Sequence, residues 1–205
     1  MRCVASSLCS GAIPPVVNDS ALLLFLVFDP ASVRPAARAN PAVAYVREYR
    51  RAEWLITTAR RVRTTLPIAV AVGGARCREC EANLTRLGAL IIKSAPVPPP
   101  TWAAGYHRES FHKLRALGMT RWSRVIVLDN DFSLVQNIDH LSGAETPAAV
   151  WHPQHNRTTG GTDILMNSGL MVLQPNASAA AALLRLAASA RHHVYDGGDQ
   201  EARYC

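Results

Sequence analysis

Val125-Ile126-Val127-Leu128-Asp129-Asn130-Asp131 is the stretch on which the fold turns. Four consecutive apolar residues, three of them β-branched, read as a strand buried on both faces of a sheet. The two acids stand at its carboxyl end, where an open α/β sheet places its ligand. Carboxylates so close together cannot both be buried without partners, so they face water or hold a cation. Hard oxygen ligands suit Mg²⁺ or Mn²⁺, and such an ion brings in a diphosphate as a further ligand. A strand that simply ends in an Asx turn has the same pattern, so the neighbouring residues must decide.

Upstream, Ala21 to Phe28 reads as a buried strand stopped by Asp29-Pro30, followed by a Pro- and Ala-rich connector from Ala31 to Pro41. Apolar residues recur at helical spacing between Ala42 and Arg63, which predicts an amphipathic helix. Pro67 to Gly74 is a second strand, a short helix runs from about Glu79 to Leu87, and Ala89 to Lys93 is a third strand. These form two β-α-β crossovers, hence parallel strands joined right-handedly. Pro96 to Pro100 is a rigid loop, and His107 to Leu117 a helix with Phe111, Leu114 and Leu117 on one face and Lys113 off it. Downstream, Ala148 to Trp151 is a short strand, His152 to Thr162 a mobile polar loop, and Gly169 to Leu173 a strand entered through Asn167-Ser168. Asn176 can cap an Ala- and Leu-rich helix from about Ala177 to Arg191. Residues 1 to 20 form a poorly ordered lead-in, and 21 to 205 a single domain.

The formal charge of +7 invites a nucleic-acid hypothesis. The basic residues are scattered, however, nearly all are Arg, and no aromatic residues interleave them, so charge alone supports no such partner. No stretch is long enough to span a bilayer. Cys77-Arg78-Glu79-Cys80 has the spacing of half a zinc site or a redox pair; without a second Cys or His pair it reads as two unpaired thiols near a helix start. Four of the eight asparagines (Asn18, Asn83, Asn156, Asn176) lie in Asn-x-Ser/Thr, which favours a secretory or Golgi lumen over the cytoplasm.

Three stretches stand in order along the chain: Phe111-His112-Lys113-Leu114 with Trp122 to Asp131, then Asn167-Ser168-Gly169 running to Pro175, then Asp196-Gly197-Gly198-Asp199-Gln200. Together with Asn137-Ile138-Asp139-His140-Leu141 they resemble glycosyltransferase family 8, the glycogenin-like retaining transferases that include galactinol synthases and plant glucuronosyltransferases. The resemblance covers residues 107 to 200 by motif and 42 to 93 by pattern only. It implies an α/β, Rossmann-like GT-A fold, a central, mostly parallel sheet flanked by helices. The implied chemistry moves a hexosyl or hexuronosyl group from a UDP-sugar to a hydroxyl of a carbohydrate, protein or polyol, with Mn²⁺ or Mg²⁺.

In that family Asp129 and Asp131 match the metal-binding pair, the first also reaching the ribose, with Asn130 between them at the donor. Lys113 matches a lysine on the donor's phosphates. One of only two lysines, with Lys93, in a chain that otherwise uses Arg, it stands out on composition as well. Asn167, Ser168 and Gly169 match the loop at the transferred sugar. Asp196, Gly198, Asp199 and Gln200 match the motif beside the anomeric carbon, where a carboxylate acts as transient nucleophile or stabilises an oxocarbenium-like centre.

Two features depart from the family. Its first strand normally carries Thr and Asn, followed by Tyr, to grip the uridine, and Leu22 to Asp29 has none of these. A third metal ligand, a histidine, normally lies well downstream of the Asp-Gly-Gly-Asp-Gln stretch, whereas this sequence ends five residues after Gln200. His192 and His193 precede the motif and read as cations at a helix carboxyl end. The expectation is therefore a domain incomplete at its carboxyl terminus. The alternative function is a non-catalytic relative that binds nucleotide sugar weakly or serves as an interaction domain.

Overall fold

A computed structural model describes residues 19–28, 41–74, 77–103, 107–155 and 160–189. Asp196, Gly198, Asp199 and Gln200 lie outside these, as do His192, His193, most of the lead-in and most of the Pro-rich connector. The elements are β1 (Ser20–Phe28), α1 (Pro41–Arg61), β2 (Ile68–Gly74), α2 (Arg78–Arg86), β3 (Ala89–Lys93), a 3₁₀ helix (Ser110–Gly118), β4 (Arg124–Leu128), a short 3₁₀ turn (Asp139–Gly143), β5 (Ala148–His155), β6 (Thr162–Leu173) and α3 (Ala177–Ser189). They build a six-stranded sheet in the order β3-β2-β1-β4-β6-β5. β1, β2, β3 and β4 run parallel, and β6 and β5 are antiparallel additions at one edge.

Side-chain alternation explains why the parallel strands are apolar throughout. Leu22, Leu24 and Leu26 of β1 join Ile126 and Leu128 of β4 in one buried cluster, while Ala21, Leu23, Val125 and Val127 point into the other. Helix α1 covers the first cluster with Tyr49, Ala52, Leu55, Ile56 and Ala59, a stripe at helical spacing. Gly73 closes β2 against the next strand's exit: a Cβ there would lie 1.8 Å from the Ser94 carbonyl oxygen, so no other residue fits.

Four expectations need correction. Cys77 and Cys80 are joined in a disulfide at the start of α2 rather than left as thiols. The expected polar loop from His152 to Thr162 is strand at both of its ends, because β5 continues to His155 and β6 begins at Thr162. Asn167 and Ser168, read as a turn before a strand, lie inside β6.

Finally, Lys113 is buried rather than off the packed face. The reason is helix type. At three residues per turn, 110, 113 and 116 fall on one side, and Ala116 on that side packs into the second sheet cluster. Phe111 and Leu114 share another side and enter a small cluster with Ala187 of α3. His112 and Arg115 share the third and bond to the 95–97 segment, His112 Nδ1 accepting from the Val97 amide at 2.9 Å and Arg115 Nε donating to Ala95 O at 3.1 Å.

Candidate functional site

The site forms where β6 runs past the end of β4. Leu128 pairs with Leu170, and the Asp129 amide then donates to Gly169 O at 2.9 Å, continuing the ladder one step beyond the strand. On the other side of β6 the register with β5 jumps, Ala149 facing Met171 and Val150 facing Asn167. Ser168, Gly169 and Leu170 are thus the residues of a bulge, a device that re-aims side chains near a strand's functional end.

The bulge brings two motifs together. Lys113 Nζ donates to Asp129 Oδ1 at 2.7 Å and to Ser168 Oγ at 3.0 Å. The lysine side chain is 10% exposed and the Asp129 side chain 38%, so the ion pair is sheltered from behind while the carboxylate still opens forward. A cation held away from water needs such partners, because an unpaired one is too costly. Gly169 is required by closeness: a Cβ there would come within 2.9 Å of Asn167 Oδ1 and 3.1 Å of both Asp129 Oδ2 and Phe132 Cε2. Asn167 in turn accepts the Gly169 amide at 2.7 Å.

A cleft of about 210 Å³ opens here, lined by Phe25 and Val27 of β1, Glu48 and Arg51 of α1, the 109–113 turn, and Leu128 to Asp131. Asp131 is exposed at its mouth. Asn130 ties the ends of two parallel strands together through Nδ2 to Phe25 O at 3.0 Å, while its buried Oδ1 has no partner among the described residues. Among the described residues, no group of three or more His, Cys, Asp or Glu is gathered around one point.

Behind the acidic pair, α1 and the turn after it stitch down the segment that follows Asp131. Trp54 Nε1 donates to Ser133 Oγ at 2.7 Å, the Leu134 amide donates to Thr58 Oγ1 at 3.1 Å, and Asn137 Nδ2 donates to Arg63 O at 3.0 Å. Asp139, 3% exposed, ends the seam. Its Oδ1 accepts from Thr64 Oγ1, and its Oδ2 accepts from the Thr65 amide at 2.6 Å and Thr65 Oγ1 at 2.8 Å. Burial pushes the Asp139 carboxyl up, but the hydrogen bonds from Thr64 and Thr65 outweigh that and hold it below the usual carboxylate value.

The structure therefore brings Lys113, Asp129, Asn130, Asp131, Asn167, Ser168 and Gly169 to one sheet edge. Sequence reading missed Glu48 and Arg51, which face the cleft as a pair, Arg51 Nη1 lying 3.1 Å from Glu48 Oε1. Arg51 stands among other arginines on α1, and nothing in the sequence singles it out. The seam of Thr58, Thr64 and Thr65 was equally silent, although Asn137 and Asp139 sit in a quoted motif.

No protein-family model matches the chain. In sequence it is 32% identical over 95 residues, 46% of its own length and 15% of the other's, to an Arabidopsis thaliana protein provisionally named UDP-glucuronate:xylan alpha-glucuronosyltransferase 4. It is 33% identical over 90 residues to galactinol synthase 2 of Ajuga reptans, covering 42% of this chain and 31% of that protein. The chain thus spans less than a third of the length of either relative. In structure it resembles the glycosyltransferase GlyE of Streptococcus pneumoniae TIGR4, with a TM-score of 0.56 at 14% identity over 89% of this chain and 42% of that one. It also resembles mouse xyloside xylosyltransferase 1, with a TM-score of 0.50 at 20% identity over 92% of this chain and 80% of that one. The chain therefore carries a GT-A glycosyltransferase fold and, across the matched part of its sequence, is similar to members of glycosyltransferase family 8.

Proposed function

We propose that this chain carries the donor-binding core of a retaining glycosyltransferase, which moves a hexosyl or hexuronosyl group from a UDP-sugar to a hydroxyl of a carbohydrate, protein or polyol. The observation that carries the reading is the double contact of Lys113 with Asp129 and Ser168, which joins two of the motifs at the rim of one cleft.

The donor set suits a hard divalent ion, Mn²⁺ or Mg²⁺. Two carboxylates one residue apart, both lining the cleft, match ions that complete their shell with substrate phosphates and water rather than with a full protein cage. Asp129 and Asp131 would hold that ion. Once bound, it supplies charge neutralisation for the departing diphosphate.

The chain's own residues do the rest. Lys113 fixes Asp129 and adds a positive charge beside the phosphate path, the kind of preorganised electrostatic stabilisation that contributes most to such reactions. Arg51 is a second cation across the cleft. Ser168 and Gly169 keep the backbone of β6 close to where the sugar lies, and Asn130 lines the cleft between the two acids. Asp199, Gln200, Asp196 and Gly198 are assigned to the anomeric side on resemblance alone.

Calorimetry with UDP tests this: binding in the presence of Mn²⁺ that is lost on chelation, with donor hydrolysis abolished in Asp131→Ala, is the expected result. Failure of the folded protein to bind UDP with Mn²⁺ present would overturn it.

A further inference from the structure

The four Asn-x-Ser/Thr sequons are not equal once the fold is known. The hydroxyl that would complete the Asn18 sequon, Ser20 Oγ, is buried in β1 with no partner among the described residues, Ser20 being 0% exposed. Asn83 sits half-buried within α2 with its Oδ1 held by Arg86. Asn156 lies outside the described residues. Asn176 differs from these. It is exposed together with Ala177 and Ser178, and its Oδ1 caps α3 by accepting the Ala179 amide at 2.9 Å. A cap uses only the oxygen of the side-chain amide, so the nitrogen Nδ2 is left for other chemistry.

Position matters as well. Asn176 follows β6 just after Leu173, which pairs with Val125 at the amino end of β4. The cleft lies at the other end of that strand, so a bulky group on Asn176 would not obstruct it. A second, independent observation bears on compartment. The Cys77–Cys80 disulfide is of the kind that forms and persists where the surroundings are oxidising, as in the lumen of the secretory pathway.

We infer that Asn176 is an N-glycan acceptor. Its Nδ2 forms a bond to the anomeric carbon of a lipid-diphosphate-linked oligosaccharide. The bond from that carbon to the phosphate oxygen breaks, one amide proton is lost, and the lipid diphosphate departs. The product amide keeps its carbonyl oxygen, so the helix cap survives modification.

The test is expression of the full chain directed into the secretory pathway of a eukaryotic cell, followed by peptide mapping. Enzymatic release of the glycan by peptide-N-glycosidase in heavy-oxygen water converts the bearing Asn to labelled Asp. The expected result is label at position 176 in the unmodified sequence and none in Ser178→Ala. Asn176→Asp should also abolish the glycan while melting at the same temperature as the deglycosylated protein, because Asp caps a helix as well as Asn does. An unlabelled Asn176, whatever occupies the other sequons, would overturn the inference. Neither result bears on UDP binding, so the inference stands or falls apart from the sugar-transfer reading.

Discussion

Asp129 and Asp139 stand ten residues apart in the same stretch of chain, and the structure treats them in opposite ways. Asp139 is sealed, its two oxygens taken by Thr64 and Thr65, with no charged partner needed to keep it ionised. Asp129 receives the Lys113 ammonium on Oδ1 and keeps 38% of its side chain open to the cleft. A carboxylate saturated by neutral protein donors is a structural rivet. One given a cation behind and an opening in front is placed to take a ligand. The rivet also serves the ligand site, because it anchors the far end of the segment that begins at Asp131.

The widest separation between the two should come from replacing each with alanine. Asp129→Ala should lower turnover by roughly 10²- to 10³-fold, the usual loss when a preorganised charge-stabilising group is removed. Stability should fall only in part, because Lys113 loses its anion but keeps the Ser168 hydroxyl and gains water where the partly solvated acid stood. Asp139→Ala should do the reverse. It leaves the buried Thr64 hydroxyl without its acceptor, while the donors of the exposed Thr65 turn to water, at a cost of about 1–3 kcal/mol read from urea unfolding. UDP affinity below the melting range should remain. If both variants lost stability alike and binding alike, the division of labour would be wrong.

Acid sharpens the same contrast. The folded value for Asp139 lies below its ordinary 3.8, so the native state binds fewer protons than the unfolded chain in that range. Its stabilising contribution is complete above the unfolded value and is lost as pH falls through the lower folded value. Urea midpoints measured from about pH 5 down to about pH 3 should therefore drop. Asp139→Asn should flatten that part of the drop, and Asp129→Asn should leave it in place.

A third variant probes the wall between strand and site. Gly169→Ala places a methyl 3.1 Å from Asp129 Oδ2 and 2.9 Å from Asn167 Oδ1, closer than side chains ordinarily sit. Asp129 must then shift, and a misplacement of well under an ångström is expected to lower turnover by about tenfold, since positioning near the chemistry is steeply sensitive. Donor hydrolysis rates, measured beside a melting curve, separate this from simple unfolding.

The parallel half of the sheet was legible in the sequence because fully buried strands carry unbroken apolar runs. Ala21–Phe28, Pro67–Gly74, Ala89–Lys93 and Val125–Leu128 each differ from the observed strands by a residue or so. The antiparallel edge was harder. β5 carries Trp151, His152 and Pro153 where an alternating pattern would be expected, and exposure on an edge strand removes the pressure for one. Lys113 was legible as a residue of interest from composition, but its direction was not, since helical spacing at 3.6 residues per turn puts it on the wrong side of a 3₁₀ segment. The threonine seam was invisible because it acts across a sequence gap of some 75 residues, and Arg51 because only the fold brings its turn of α1 to the cleft; no local pattern encodes either.

The gentlest perturbation of the seam is Trp54→Phe. The indole is half exposed and donates to Ser133 Oγ, two residues beyond Asp131. Phenylalanine keeps the aromatic body and removes only the donor, so the loss should be about 0.5–1 kcal/mol, the net worth of one partly solvated hydrogen bond. Global stability should hardly register it, because Thr58, Asn137 and Asp139 still fasten the same segment. The local effect should be readable by amide hydrogen exchange, which should speed up at Leu134, next to the released Ser133, but not at Thr65, where the Asp139 rivet is untouched. If Asp131 depends on the seam for its position, Mn²⁺ affinity should fall a few-fold in step with that exchange. Faster exchange with unchanged affinity would show instead that the acid is held from the Asp129 side alone.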